Sequence, residues 1–242
     1  MKTIIYLILL IMSSNFLFAQ NKFESDKIKT SSGEIEMTFI GRGTLMFSYN
    51  DYIIHVDPVG RYADYNQMPN ADLILVTHHH GDHLDGSAIG KIKKENTVII
   101  CTEICSKELE GIILKNGETK TISDIQIDAV PAYNLVHKRD NGEPFHPKGD
   151  GNGYVLTIDN IKIYVAGDTE NVPEMKDLKN IDIAFLPMNL PYTMTPEMVA
   201  NAAEMFNPKI LYPYHYGSTD PNKLVELLKD KENIQVRIRQ LQ

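Results

Sequence analysis

The segment Thr77-His78-His79-His80-Gly81-Asp82-His83 places three imidazoles and a carboxylate in the pattern His-x-His-x-Asp-His. Imidazole nitrogens and carboxylate oxygens bind divalent transition metals, and this density is enough to begin two adjacent sites. The apolar run before it, Leu73-Ile74-Leu75-Val76, reads as a buried strand. If the chain stays extended past that run, His78 and His80 share a face and can hold one ion. His79 then points away and falls outside the site. Gly81 is expected to supply an unusual backbone conformation that aims Asp82 and His83 at a second ion. A solvated histidine run or an adventitious metal tag is the bland alternative. Neither has a reason to follow a buried strand or to carry an aspartate at this offset.

The missing ligands should stand at other strand ends, where several loops converge on one edge of the sheets. Asp168 follows Ile161–Val165 in Ala166-Gly167-Asp168-Thr169, and its two oxygens can bridge two cations. His215 follows Ile210–Tyr214 and precedes Tyr216-Gly217. Alone, these would read as a turn aspartate and a structural histidine, but beside the cluster they stand where ligands are needed. His55, inside Tyr52–Val56, reads as structural.

Short apolar runs separated by turn residues carry these positions. Glu34–Ile40 and Leu45–Tyr49 flank Gly41-Arg42-Gly43 as a hairpin, and Tyr52–Val56 ends at Asp57-Pro58. After Leu73–Val76, a helix is expected over Gly86–Lys94 and a strand over Thr97–Cys101. Thr119–Ile122 and Ile125–Val130 alternate like strands, and Tyr154–Ile158 pairs with Ile161–Val165 across Asp159-Asn160. Ile181–Leu186 reads as a buried strand. Thr195 caps a helix that starts at Pro196 and ends before Pro208. Lys209–Tyr214 is a strand, Pro221–Lys229 a helix and Ile234–Leu241 a final strand. Mixed hairpins and strand–helix alternation imply an α/β protein with two sheets and covering helices. Asn134–Gly153, rich in Gly, Pro, His and charge, reads as a long loop, and loops of that length are often functional.

The chain opens Met1-Lys2-Thr3, then runs apolar from Ile4 to Met12, with a small residue at Ala19. This pattern matches a signal peptide over residues 1–20, followed by one domain over 21–242, and implies export to a periplasmic or secreted location. An uncleaved N-terminal anchor is the alternative; after cleavage no stable membrane insertion is expected. The formal charge of −8 argues against nucleic acid as partner. Metal ions would still make a pocket locally positive, so the expected small-molecule substrate can be anionic. The two cysteines, Cys101 and Cys105, read as buried free thiols, with a disulfide the alternative.

The residues Thr77-His78-x-His80-x-Asp82-His83, Gly167-Asp168-Thr169 and His215-Tyr216 resemble the metallo-β-lactamase superfamily in order and separation. Gly41-x-Gly43 and Asp57-Pro58 further resemble the branch of ascorbate-6-phosphate lactonase-like and N-acyl-phosphatidylethanolamine phospholipase D-like proteins. The resemblance implies an αββα sandwich, two mixed β-sheets covered by helices, with a dinuclear site along one edge. It implies His78, His80 and His146 on one ion, Asp82, His83 and His215 on the other, and Asp168 as the bridge. In related sequences a metal histidine often follows the strand near Asn134, where this chain has none. His146 and His137 are the substitutes. His146 is favoured because Phe145-His146-Pro147-Lys148-Gly149 has a restricted backbone and resembles a motif of relatives in this branch. Asn134 then becomes a hydrogen-bonding support.

The expected cofactor is a pair of divalent ions. Nitrogen and oxygen ligands suit Zn²⁺, and no thiolate discriminates against Mn²⁺ or Fe²⁺. Such a pair can hold hydroxide as nucleophile and polarise a carbonyl or phosphoryl oxygen. The reaction expected is hydrolysis of an ester-like bond in a lactone, phosphoester or amide, with Asp82 orienting the nucleophile or accepting its proton. Lys148 and Tyr192 are candidate anion contacts. The alternatives are a di-iron redox enzyme of the same fold and a noncatalytic metal-binding protein.

Overall fold

The computed structural model describes residues 23–241, so the expected signal peptide lies outside the described residues. Two seven-stranded sheets follow one another along the chain. In the first, β1 (Glu24–Lys29), β2 (Glu34–Gly41), β3 (Thr44–Tyr49) and β4 (Tyr52–Val56) pair antiparallel. Then β5 (Ala71–Leu75), β6 (Lys93–Cys101) and β7 (Ile112–Ile113) add in parallel. The second sheet repeats this plan. β8 (Thr119–Ile122), β9 (Ile125–Ala132), β10 (Gly151–Ile158) and β11 (Ile161–Val165) are antiparallel. β12 (Ile183–Pro187), β13 (Ile210–Tyr214) and β14 (Gln235–Val236) are parallel. Helices α1 (Gly86–Ile92), α2 (Pro196–Phe206) and α3 (Asn222–Leu228) complete the αββα sandwich.

The period-2 geometry of a strand explains how β5 serves two cores. Leu73 and Leu75 join the main core between the sheets, whereas Ile74 and Val76 face a smaller core with Ala88, Ile89 and Ile92 of α1. Between the sheets, aromatic rings from both sides interlock. Phe185 stacks on Tyr212 with centroids 4.9 Å apart, and Phe39 from the other sheet lies 5.2 Å from Tyr212. Helix α2 begins as its sequence dictates, with Thr195 accepting from the Met198 N–H and Pro196 in the first turn. It ends at Asn207, whose left-handed φ of 47° precedes Pro208. Cys101 and Cys105 are free and buried.

The first and last strands differ most from the sequence expectation. Strand β1, Glu-Ser-Asp-Lys-Ile-Lys, is a half-exposed, charged edge strand with little apolar alternation to announce it. The C-terminal strand closes after Val236 instead of running to Leu241, and the chain that follows turns Arg237 and Arg239 onto Asp26 of β1. The Arg239 guanidinium donates to both Asp26 oxygens, at 2.8 and 2.7 Å, and Tyr212 of β13 donates its hydroxyl to the same carboxylate. Burial opposes ionisation of Asp26, but Tyr212 and the two arginines hold its carboxyl below the ordinary value. One aspartate thus joins the first strand, the second sheet and the C-terminal segment. Asp26→Ala is expected to lower the unfolding free energy by about 2 kcal/mol, because it removes the carboxylate shared by two partly buried arginines and leaves Arg239 only its Glu24 partner at 3.4 Å. Urea denaturation measures this directly.

Candidate metal centre

The loops that leave β5, β9, β11 and β13 meet at one edge of the sandwich. His78, His80, Asp82 and His83 follow β5; His146 lies in the loop after β9; Asp168 follows β11; His215 follows β13. Their ligand atoms form two groups, His78, His80 and His146, and Asp82, His83 and His215, and a third, His78, His83 and Asp168, overlaps both; the atoms within each lie within 4.8 Å of one another. Asp168 stands between them. Its Oδ2 is 3.4 Å from His146 Nε2, 3.7 Å from His215 Nε2 and 4.0 Å from His78 Nε2. Its Oδ1 is 3.6 Å from His83 Nε2. The Asp82 carboxylate lies 3.4 Å from His215 Nε2 and keeps about a third of its side chain exposed.

The imidazoles are held from behind. Asp57, fully buried at the end of β4 with φ 47°, accepts the Thr77 N–H at 2.7 Å, the Thr77 hydroxyl at 2.6 Å and His83 Nδ1–H at 2.7 Å. Because the Thr77 hydroxyl gives its hydrogen to Asp57, its oxygen is left to accept from His78 Nδ1, 3.0 Å away. On the other flank, Asn134 Oδ1 accepts both the backbone N–H and the Nδ1–H of His146, at 2.9 and 2.7 Å. Asn134 Nδ2 is spent on Glu170 and the Tyr192 carbonyl. Fixing Nδ1 as the donor turns the Nε2 lone pair toward the centre, the arrangement a metal needs.

Glu170 is the anchor of this flank. Fully buried, it accepts the backbone N–H groups of Leu135, Val136 and His137 at 2.6, 2.6 and 2.7 Å. Burial would raise its carboxyl, but those N–H donors hold it below the ordinary value. His137 is thereby drawn to Glu170, with Nδ1 2.7 Å from Oε1, and stands outside both groups. His79 also stands outside, and His55 is buried in β4 with Nε2 3.1 Å from the Pro69 carbonyl.

Glycine is required where the backbone crowds the rings. A Cβ at Gly43 would sit 2.6 Å from His83 Cε1 and 3.5 Å from His215 Cδ2. Gly167, at φ +65°, would press a Cβ to 2.7 Å from the Asn152 carbonyl just before Asp168. The expectation for Gly81 is corrected. Its φ is not left-handed, because the segment closes as a right-handed turn with His83 and Leu84 N–H groups both donating to the His80 carbonyl. The turn itself aims Asp82 and His83. His215 instead carries the unusual backbone, φ 46°, with its N–H donating to the Arg42 carbonyl at 3.2 Å.

The centre fits a metal by two independent signs. Buried Nε2 atoms of His78, His83 and His215, with Asp168 Oδ1, have no hydrogen-bond partner, an arrangement that is costly unless a cation fills it. The donors are also nitrogen and oxygen alone, which suits zinc, manganese or iron. Burial lowers the His78 and His146 rings and holds His80 at about 4, so these three are neutral donors. For His83, burial pulls downward, yet Asp168, Asp57 and Asp82 lift it to about 9. Asp82 is lowered, chiefly by the His215 ring, whose Nε2 lies 3.4 Å from its carboxylate, and is an acceptor at neutral pH. Asp168 is lowered too, since His215, His83 and His146 outweigh its burial.

A cavity of about 450 Å³ opens over these groups, lined by Asp82, Asp168, Phe145, Tyr192, Arg42 and Arg139 among others. Tyr192 is where the sequence suggested a substrate contact. Lys148 is not: its ammonium pairs with Glu174 at 2.7 Å and covers the Tyr133 ring. Sequence reasoning missed Glu170, Arg42 and Arg139, and took Asp57 only as part of a resemblance. For Glu170, the signal in the chain was its place two residues after Asp168.

This fold, with histidine and aspartate groups able to bind metal at one edge, defines a member of the metallo-β-lactamase superfamily. The family model described as a beta-lactamase superfamily domain matches residues 36–215. Among curated relatives, a UPF0173 metal-dependent hydrolase of Thermococcus onnurineus is 33% identical over 68% of this chain and 77% of its own length. Another from Thermococcus kodakarensis is 31% identical over 83% of this chain and 95% of its own. A crystal structure from Parabacteroides distasonis, described as a metal-dependent hydrolase, is 55% identical with a TM-score of 0.87, covering 91% of this chain and all of that one. The chain belongs to the UPF0173 metal-dependent hydrolase family of that superfamily.

Two outcomes test the supports. Asp57→Asn keeps the shape but removes the charge that orients Thr77 and His83, and is expected to weaken metal binding by roughly 10–100-fold in chelator competition. Asn134→Ala frees the His146 ring and is expected to lower the metal content per chain below that of wild type, read by metal analysis of the purified protein.

Proposed function

We propose that this chain hydrolyses an ester-like bond, in a lactone, phosphoester or amide, at a centre of two divalent ions. The observation that carries the reading is the convergence of His78, His80 and His146 on one side of Asp168 and of Asp82, His83 and His215 on the other. When bound, the ions supply a Lewis acid and lower the pKa of water toward neutrality. The protein's share is position and proton handling. Asp82 is ionised, part-exposed and on the cavity wall, placed to orient a water and accept its proton. Asp168, between the two groups, is placed to bridge them. Glu170 and Asn134 keep His146 where a histidine on the preceding strand would otherwise serve.

The likeness to lactonase-like and phospholipase D-like relatives, drawn from Gly41-x-Gly43 and Asp57-Pro58, supports lactones and phosphodiesters as the first substrates to try. A di-iron β-hydroxylase from Streptomyces venezuelae shares the fold at 14% identity, which is a likeness of fold alone. Zinc is the ion proposed, and the N-terminal pattern supports export.

Metal analysis joined to turnover of phosphodiester and lactone panels is the test. The expected result is two metals per chain and activity that a chelator abolishes and zinc restores. Iron with oxygen-dependent turnover would favour the redox alternative, and full metal without turnover of any kind a binding role. Acidity provides a separate check. Metal-free His83 holds a proton below about 9, and an incoming ion must displace it. Metal affinity is therefore expected to rise with pH up to about 9 and to level off above it, with proton release visible by calorimetry in buffers of different ionisation enthalpy.

A further inference from the structure

We propose that Arg42 and Arg139 recognise an oxyanion, a carboxylate or a phosphate, that the substrate carries outside the bond to be cut. This rests on the hydrolase reading of the site and names the class of substrate it takes. Both arginines line the cavity above Asp82 and Asp168. Among the described residues neither has a carboxylate within ion-pair distance, whereas Arg237 and Arg239 are both paired with Asp26. Arg139 donates one Nη2 hydrogen bond to the Phe145 carbonyl at 3.2 Å, and its guanidinium lies 5.2 Å from the centroid of the Phe145 ring. The rest of its donor fork is unspent. A planar fork resting on an aromatic face matches a carboxylate or phosphate in a way a lysine does not.

Each arginine is tied to a different half of the centre. The Arg42 carbonyl accepts the His215 N–H at 3.2 Å, so it is fastened to the group with Asp82 and His83. Arg139 sits in a closed turn, its N–H on the Glu143 carbonyl at 2.7 Å and its carbonyl accepting from Gly142 at 2.9 Å. That turn leads directly into Phe145 and His146, in the other group. A substrate lying across both halves therefore meets a guanidinium on either flank. Phe145 and Tyr192, edge to face with centroids 5.0 Å apart, supply an apolar wall beside it. Charge points the same way. The two arginines offset Asp82 and Asp168, so any divalent ion makes the cavity positive although the chain as a whole is −8. Electrostatic attraction of this kind acts on binding of the remote group, and so on KM.

The experiment uses the metal-loaded full protein, matched ester substrates and the variants Arg42→Gln, Arg139→Gln, Arg42→Lys and Arg139→Lys. The substrates carry a carboxylate, a phosphate or a neutral amide at the same remote position. Wild type is expected to favour at least one anionic member over the neutral one by roughly tenfold in kcat/KM. Which anion is preferred identifies its source, and either preference supports the proposal. Each glutamine variant should cut that preference by severalfold through KM, with part of it kept by the lysine variants. Metal content and thermal midpoint, read on the same samples, should match wild type. No preference in wild type, or an equal loss on anionic and neutral members, overturns it. Should none of the esters turn over, ester hydrolysis fails by itself, and the phosphodiester and lactone panels decide the wider hydrolase reading. Calorimetric binding of phenylacetate and phenylphosphonate still tests the arginines, and affinities equal in wild type and the glutamine variants overturn their role.

Discussion

The arrangement of the centre depends on one buried carboxylate. Asp57 ends β4, and its own N–H is bound to the Leu75 carbonyl of β5, so the aspartate is locked to the strand whose loop it controls. From there it takes two bonds from Thr77 and one from His83, and through the Thr77 hydroxyl it sets the His78 ring. A buried charge is tolerable when its hydrogen-bonding capacity is filled. Here the groups that fill it are those that orient two imidazoles. The stability of the strand end and the aim of the nitrogen donors are therefore the same set of interactions.

The second flank repeats the principle with another chemistry. The long loop after β9 could not hold a histidine in place by strand pairing, because Asn134–Asp150 lies outside the ladder. It is pinned instead by Glu170, a buried anion receiving three successive backbone N–H groups, and by Asn134, which spends its oxygen on His146 and its nitrogen on Glu170 and Tyr192. The sheets join the two flanks: the Asn152 N–H of β10 donates to the Thr77 carbonyl after β5 at 2.9 Å. Asp168, three residues beyond the end of β11, the strand paired with β10, is then carried between the groups.

Much of this was legible in the chain. Tyr52–Val56 and Ile161–Val165 were read to the residue, since each is a short apolar run bounded by turn residues. The dense His-x-His-x-Asp-His segment announced ligand chemistry because such spacing has no other economical use. What stayed hidden was what depends on distant partners. Charged β1 becomes a strand through its pairing with β2 and the anchoring of Asp26 by arginines more than 200 positions away. Glu170 looks like a surface glutamate until a loop some 35 residues earlier folds over it. Gly81 was misread because a glycine beside ligands suggests a left-handed turn, while two N–H bonds to the His80 carbonyl close the segment in the ordinary right-handed sense.

The central claim is that two supported groups of donors, with Asp168 between them, form one two-ion centre. Anomalous diffraction at the zinc absorption edge, on crystals of the zinc-loaded protein, tests it most directly. Two peaks are expected, one among His78, His80 and His146 and one among Asp82, His83 and His215, both touching Asp168. A single peak, or a peak that takes His137 in place of His146, would contradict it.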